Sequence, residues 1–180
     1  MSSSGAETPA LAVTPELAAV LGRLRVGTGV DVHPFVEGRP LILGGVTVPS
    51  ARGLAGHSDA DLVAHAVTDA VLGVAGMADI GTYFPSDDPA LEGADSMELL
   101  RKVVVMACDE RAVSFISVDV IVIMQAPKLA PFREAIAANI AAALRIDAER
   151  VTVRATTTDQ LGFIGRGEGA SALATCLALR

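Results

Sequence analysis

The chain has 180 residues, 51% of them hydrophobic but only 3% aromatic, with no Trp, so one domain with a core of Ala, Val, Leu and Ile is expected. Its formal net charge of −7 and the lack of any Lys/Arg run exclude an ordinary nucleic-acid binder, which carries a basic patch. No stretch reaches the ~18 uninterrupted apolar residues of a membrane span, no basic-then-apolar leader opens the chain, and the isolated Cys108 and Cys176 read as free thiols in a cytoplasmic setting.

Residues 1–24 contain Ser, Ala and Pro with Glu7 and Glu16, and are expected to form a mobile tail with room for a short helix over Pro15–Leu24. Residues 25–180 are expected to form the single domain. Arg25-Val-Gly-Thr-Gly-Val-Asp-Val-His33 reads as a glycine-containing strand, Pro34–Pro40 as a loop, and Leu41–Val48 as the hairpin partner of that strand. Pro49–Gly56 reads as irregular. A helix is expected to start near Ser58–Ala60, where Ser58-x-x-Asp61 resembles a capping box. Leu62, Val63, Ala66, Val67, Ala70 and Val71 then recur at helical spacing, and Gly73 and Gly76 end the run. Asp79–Pro89 has loop composition.

A second helix is predicted over Ser96–Asp109, with Glu98 and Lys102 as an i,i+4 pair. Ser114–Met124 is the clearest strand, with Ile116, Val118, Val120, Val122 and Met124 on one face. Pro131 can open a third helix, whose buried stripe is Phe132, Ile136, Ile140 and Leu144. Val151–Ala155 reads as a strand, and Ala170–Leu179 fits helix or strand equally by propensity. This order predicts an α+β two-layer sandwich: one mixed four-stranded sheet with helices on one face, plus a small hairpin.

All three histidines fall between positions 33 and 65. Asp31 and His33 sit two apart on a predicted strand, which turns both to one face. With His65 on the following helix they make one carboxylate and two imidazoles, a ligand set that suits catalytic zinc and leaves a fourth position open. Asp61 or Asp69, four residues either side of His65, is the expected partner for its other ring nitrogen. Each histidine taken alone reads better as a surface or capping residue.

His57-Ser58-Asp59 precedes a helix N-terminus, a place where backbone N–H groups receive phosphate, although a plain N-cap explains Ser58 as well. Ala155-Thr-Thr-Thr-Asp159 offers three hydroxyls for phosphate and a carboxylate for Mg²⁺, although taken alone it reads better as a Thr-rich strand end with an N-cap Asp. Gly162–Gly169 is a glycine-rich turn that matches neither a P-loop nor a dinucleotide fingerprint.

Taken together, Gly29-Val-Asp-Val-His33, Gly56-His-Ser-Asp-Ala-Asp61, Ala64-His-Ala-Val-Thr-Asp69, Asp79-Ile-Gly81, Gln125-Ala-Pro-Lys128, Ala155-Thr-Thr-Thr-Asp159, Leu161-Gly-Phe163 and Gly165-Arg-Gly-Glu-Gly169 resemble, in order and spacing, the motifs of the 2-C-methyl-D-erythritol 2,4-cyclodiphosphate synthase family. The resemblance spans Arg25–Arg180. It implies Zn²⁺ on Asp31, His33 and His65. It implies Mg²⁺ or Mn²⁺ at Asp159, where the family usually has the longer Glu. His57 and Thr157 are then the catalytic positions that handle the transferring phosphate. Ser58, Thr156 and Thr158 fall among the phosphate contacts, and Asp79, Gly81 and Phe84 among contacts to the methylerythritol part. Ser86 stands where the family often has Asp, and Asp88 or Asp87 is then expected to take over the substrate interaction made from that position. Gln125, Ala126, Pro127 and Lys128 belong to a cytidine pocket, and Phe163 and Arg166 complete the binding set, Arg166 near a central cavity. The implied reaction is metal-assisted intramolecular phosphoryl transfer on a cytidine diphosphate-linked substrate, releasing CMP. The implied assembly is a homotrimer with sites between subunits, with Ala170–Leu179 as a strand and no nucleic-acid or membrane partner. Two other classes remain open on the residues alone: a metal phosphohydrolase, and a non-catalytic binding module for an isoprenoid diphosphate.

Overall fold

The computed structural model describes residues 13–180. The first twelve residues of the expected tail lie outside the described residues. Helix α1 occupies Pro15–Leu21, opened by the Thr14 hydroxyl accepting from the Leu17 N–H, with proline at its start. None of its residues is buried.

Strand β1 runs from Leu24 through the expected loop to Glu37. Its partner is not Leu41–Val48. That segment closes on itself as β2 (Leu41–Leu43) and β3 (Val46–Val48), because Gly44 and Gly45 both adopt positive φ and form a two-residue turn. The end of β1 pairs instead with β4 (Arg52–Leu54), inside the stretch expected to be irregular. The main sheet therefore has five strands, in the order β4-β1-β7-β5-β6, one more than anticipated. β1 and β7 (Gly169–Leu179) are antiparallel along the full register from Leu24↔Leu179 to Pro34↔Gly169. β5 (Ser114–Ile123) is antiparallel to β7 and parallel to β6 (Val151–Thr156). The sheet is mixed, as expected.

Propensity leaves Ala170–Leu179 undecided; burial decides it. Ala170, Ala172, Ala174, Cys176 and Ala178 are all buried at period two, which a central strand under helices requires. On β5 the expected face is interrupted. A bulge between Phe115 and Ser117 puts Phe115, Val118, Val120 and Val122 in the core and leaves Ile116 off that face.

Helix α2 (Leu62–Ala75) starts three residues later than a Ser58 cap would place it, because Asp61 is the cap. The fully buried Asp61 carboxylate accepts from the Val63 and Ala64 N–H groups and also from Gly44 and Gly45 in the hairpin turn, at 2.7 and 2.6 Å. One anion thus starts the helix and ties the β2–β3 hairpin to it. Gly76 ends α2 in the left-handed conformation. The short helix α3 (Ile80–Tyr83), capped by Asp79, lies within the expected loop. Helices α4 (Ser96–Arg111) and α5 (Arg133–Leu144) complete the layer beside α2. Ile136, Ile140 and Leu144 of α5 are buried, while Phe132 is only partly so. Glu98 pairs with Arg101 at 2.5 Å rather than with Lys102, a surface contact worth less than about 1 kcal/mol. The last helix, α6 (Gly162–Gly165), precedes β7.

Replacing Asp61 by Ala leaves several buried N–H groups without an acceptor. Asp61→Ala is expected to lower unfolding free energy by about 3 kcal/mol, measured by urea denaturation. An unchanged midpoint would contradict the role given to this carboxylate.

Candidate active site

The site begins with how closely α2 lies on β1. A Cβ on Gly27 would stand 2.1 Å from the Ala70 carbonyl oxygen, and one on Gly29 would stand 2.0 Å from that of Ala66. Only glycine lets the helix backbone seat this near the strand. Two and four residues beyond Gly29, on the same face, come Asp31 and His33. They meet His65, which projects from the first turn of α2.

The three donors converge. Asp31 Oδ2 lies 2.8 Å from His33 Nε2 and 3.0 Å from His65 Nδ1, and the two nitrogens are 3.2 Å apart. A tetrahedral zinc with bonds near 2 Å separates its ligands by about 3.3 Å, so an opening of a few tenths of an ångström admits the ion. The remote ring nitrogens are occupied in the way a metal site needs. His33 Nδ1–H donates to the Ala55 carbonyl at 2.6 Å, which leaves the Nε2 lone pair for the centre. His65 Nε2 points away, 2.9 Å from Ser96 Oγ and 3.1 Å from Ser58 Oγ. The residues present therefore fit a divalent cation.

Asp61 and Asp69, expected to support His65, do not. Asp61 is spent on the cap, and Asp69 accepts from the Ile80 N–H at 2.8 Å. Burial and the nearby Asp79 and Asp31 charges raise the Asp69 carboxyl, although the Ile80 N–H pulls it down. Burial alone would also raise Asp31. The hydrogen bonds and charges of His33 and His65 outweigh it and hold that carboxyl well below the usual range. Burial works against a charged His33, but Asp31 and the Ala55 carbonyl prevail and raise it above the ordinary histidine value.

A cavity of about 560 Å³ opens on the cluster, lined by His33, His65, His57, Ser58, Gly81 and Phe84 together with Ser86 and Asp87. His57 Nε2–H donates to the Asp88 carbonyl at 2.7 Å. The Asp88 carboxylate is turned to the Ala90 N–H, and Asp79 caps α3 through the Thr82 N–H. Asp79 lines a different hollow, with Thr28, Val30 and Asp69. Arg39, passed over in the sequence as part of a loop, donates to the Gly56 and Ser58 carbonyls at 2.6 and 2.5 Å and so braces both sides of His57.

A second cavity, of about 240 Å³, gathers Met124, Gln125, Pro127 and Lys128 with Thr156 and Thr157. Gln125 Oε1 is buried there without a partner among the described residues. Ala126 faces a neighbouring hollow with Phe35 and Arg52. Asp159 stands at positive φ, and its N–H donates to Thr157 Oγ1 at 3.2 Å. Thr158 donates to the Leu161 carbonyl. Phe163 is 41% exposed, and Arg166 pairs with Glu168 at 2.7 Å. The first and second cavities share no lining residue, and Asp79, Ala126, Thr158, Asp159, Phe163 and Arg166 line neither of them.

The sequence profile of the YgbB family matches residues 24–179. The chain belongs to the YgbB family. A relative named 2-C-methyl-D-erythritol 2,4-cyclodiphosphate synthase from Rubrobacter xylanophilus is 53% identical over 164 residues, 87% of this chain and 96% of the relative. A Burkholderia cenocepacia relative of the same name is 54% identical over 160 residues, with the same coverage. Among solved structures, the chain is similar to the bifunctional IspDF from Campylobacter jejuni, with a TM-score of 0.80 and 44% identity, over 87% of this chain and 42% of that one. It is also similar to Plasmodium falciparum IspF in a CDP complex, with a TM-score of 0.75 and 32% identity, over 87% and 96%.

Removing one donor of the YgbB cluster should abolish tight metal binding. His65→Ala is expected to weaken zinc by more than about a hundredfold in a chelator competition assay, and wild-type affinity would exclude His65 as a ligand. Protons compete for the same lone pairs. Because His33 holds its proton more tightly than free imidazole, zinc affinity should begin to fall at a higher pH than free imidazole would give. A zinc affinity flat down to pH ~5 would contradict the assignment.

Proposed function

We propose that this protein converts 4-diphosphocytidyl-2-C-methyl-D-erythritol 2-phosphate into 2-C-methyl-D-erythritol 2,4-cyclodiphosphate and CMP, a step of the non-mevalonate route to isoprenoid precursors. The observation that carries this reading is the Asp31–His33–His65 donor triangle opening into the cavity of a YgbB-family fold. The names of relatives more than half identical to it point the same way.

In the proposed step an oxygen of the 2-phosphate attacks the β-phosphorus of the diphosphate. The bond from that phosphorus to the bridging oxygen breaks, and the oxygen leaves with CMP. No water is consumed. Such chemistry needs positioning and charge neutralisation more than acid–base help. Zn²⁺ bound by Asp31, His33 and His65 would polarise and orient one phosphate, and Mg²⁺ or Mn²⁺ at Asp159 would neutralise another. The protein's own groups do the rest. His57 and Ser58, in the loop that Arg39 braces, line the cavity beside the cluster where a phosphate would lie. Thr157 supplies a hydroxyl at the second cavity, where Gln125 and Lys128 lie. Gln125 Oε1, buried and without a partner among the described residues, is an acceptor of the kind that an amino group of a base uses. Cations between protein and substrate also reconcile a net charge of −7 with a polyanionic ligand.

The reading makes the protein a homotrimer with sites between subunits. Two features support it. The face of β1 turned away from the helices is apolar and open, with Val26, Val30 and Val32 exposed by 67, 57 and 49%. The metal-type cavity and the Lys128–Thr157 cavity are separate on one chain, so a substrate that uses both is best bridged by two subunits closed in a ring. Arg166 and Glu168 belong to assembly or to anion binding rather than to the chemical step. Free Cys108 and Cys176 fit a cytoplasmic setting, and no helix among the described residues is long and apolar enough to cross a membrane.

Phosphorus NMR of the purified protein with Zn²⁺, Mg²⁺ and the 2-phosphorylated cytidyl substrate tests this directly. Two coupled resonances of a cyclic diphosphate together with CMP are expected. Release of inorganic phosphate would indicate a hydrolase, and no reaction with metals bound would indicate a binding module. His65→Ala should lower turnover by about a hundredfold or more. Asp159→Asn should raise the Mg²⁺ concentration needed for half-activity; an unchanged titration would remove Asp159 from the second cation.

A further inference from the structure

With Nδ1 turned bare to a cation, Nε2 carries the His65 proton, and Ser96 Oγ at 2.9 Å is the nearer of its two acceptors, Ser58 Oγ being 3.1 Å away. Ser96 is fully buried at the first position of α4, and its Oγ lies 2.5 Å from Asp59 Oδ1, 2.9 Å from His65 Nε2 and 3.0 Å from Ser58 Oγ. A carboxylate only accepts, so the single Ser96 proton goes to Asp59. Ser96 Oγ then has two lone pairs left. One accepts the His65 Nε2–H, and the other accepts the Ser58 hydroxyl, whose own oxygen receives the Ala60 N–H at 3.2 Å. Asp59 is itself fixed, because it accepts from the Asp61 and Ser96 N–H groups.

We infer that Asp59 and Ser96 form a relay that positions His65: the carboxylate fixes the serine hydroxyl, the hydroxyl fixes the proton on Nε2, and Nδ1 is thereby presented bare to the Asp31–His33 centre. His33 obtains the same result from a backbone carbonyl. His65, on a helix with its own carbonyls engaged, has to borrow an acceptor from another element. The relay also couples the cluster to the phosphate loop, since Ser58 and Asp59 belong to the Gly56–Ala60 turn and Ser96 opens a different helix. The inference rests on the proposed metal reading of the cluster and adds residues to it that contact neither metal nor substrate.

The test is zinc affinity by chelator competition, combined with nitrogen-15 NMR of the imidazoles, of which there are only three to assign. In the zinc-loaded wild type, the His65 Nε2–H is expected as a slowly exchanging, hydrogen-bonded signal. Ser96→Ala is expected to weaken zinc by about ten- to a hundredfold and to lose that signal to exchange with water. Asp59→Asn should give a smaller change in the same direction. Asp95→Ala is the structural control: it removes the cap of the same helix without touching the relay, and should leave zinc affinity unchanged. Wild-type zinc affinity in Ser96→Ala, an equal loss in Asp95→Ala, or no protected His65 Nε2–H in the wild type would each overturn the relay. If the wild type binds no zinc, the metal reading fails instead. The relay is then decided in zinc-free protein by the same Nε2–H signal, whose protection should be present in the wild type and lost in Ser96→Ala; no difference between the two would overturn it.

Discussion

The close seating of α2 on β1 is the constraint on which the rest of the structure depends. Gly27 and Gly29 remove the Cβ atoms that would strike the Ala70 and Ala66 carbonyls. The strand then turns its next two inward residues, Asp31 and His33, directly at His65. Larger residues at either glycine would lift the helix away from the strand and open the donor triangle by more than the few tenths of an ångström that a metal tolerates. The small residues of the core serve the same end. Ala66, Ala70, Ala172, Ala174 and Ala178 keep the helix and sheet layers thin where the site is built.

Charge is the second organising element. The structure buries or half-buries several carboxylates and gives each a specific task. Asp61 holds four backbone N–H groups and joins the hairpin to the helix. Asp59 holds the Ser96 hydroxyl, and Asp31 faces both imidazoles. None of these could be exchanged for an apolar residue without stranding donors in the interior. An acidic chain arranged in this way presents anions to a cation, and the cation in turn suits it to phosphate. In the proposed trimer, the open apolar face of β1 would meet a neighbour and the two separate cavities would be brought together between subunits.

Much of this was legible in the sequence, for identifiable reasons. Asp31 and His33 lie at period two on a strand, so their shared face follows from elementary geometry. The helical stripe of α2 and the α5 positions Ile136, Ile140 and Leu144 follow from spacing. Whatever depended on pairing was harder to see. The Leu41–Val48 segment has the composition of a partner for β1, yet two consecutive positive-φ glycines close it on itself and leave β1 to β4 at its end and to β7, from the far end of the chain, along its length. The bulge at Phe115–Ser117 moves Ile116 off its expected face, because alternation cannot announce an inserted residue. The partner of His65 is expected four residues away on its own helix. It lies instead on α4, 31 residues on, where Ser96 has only the signature of a helix start. Local rules find residues on one element; supports drawn from another element need the fold.

In the proposed reaction the two phosphate groups of one substrate react with each other, and water takes no part. The most direct measurement runs the reaction to completion in oxygen-18 water with Zn²⁺ and Mg²⁺ present, then weighs the products by mass spectrometry. An unlabelled cyclic diphosphate and unlabelled CMP are expected. Oxygen-18 in a linear phosphate or diphosphate product would show that water is the nucleophile, and would contradict the proposed reaction.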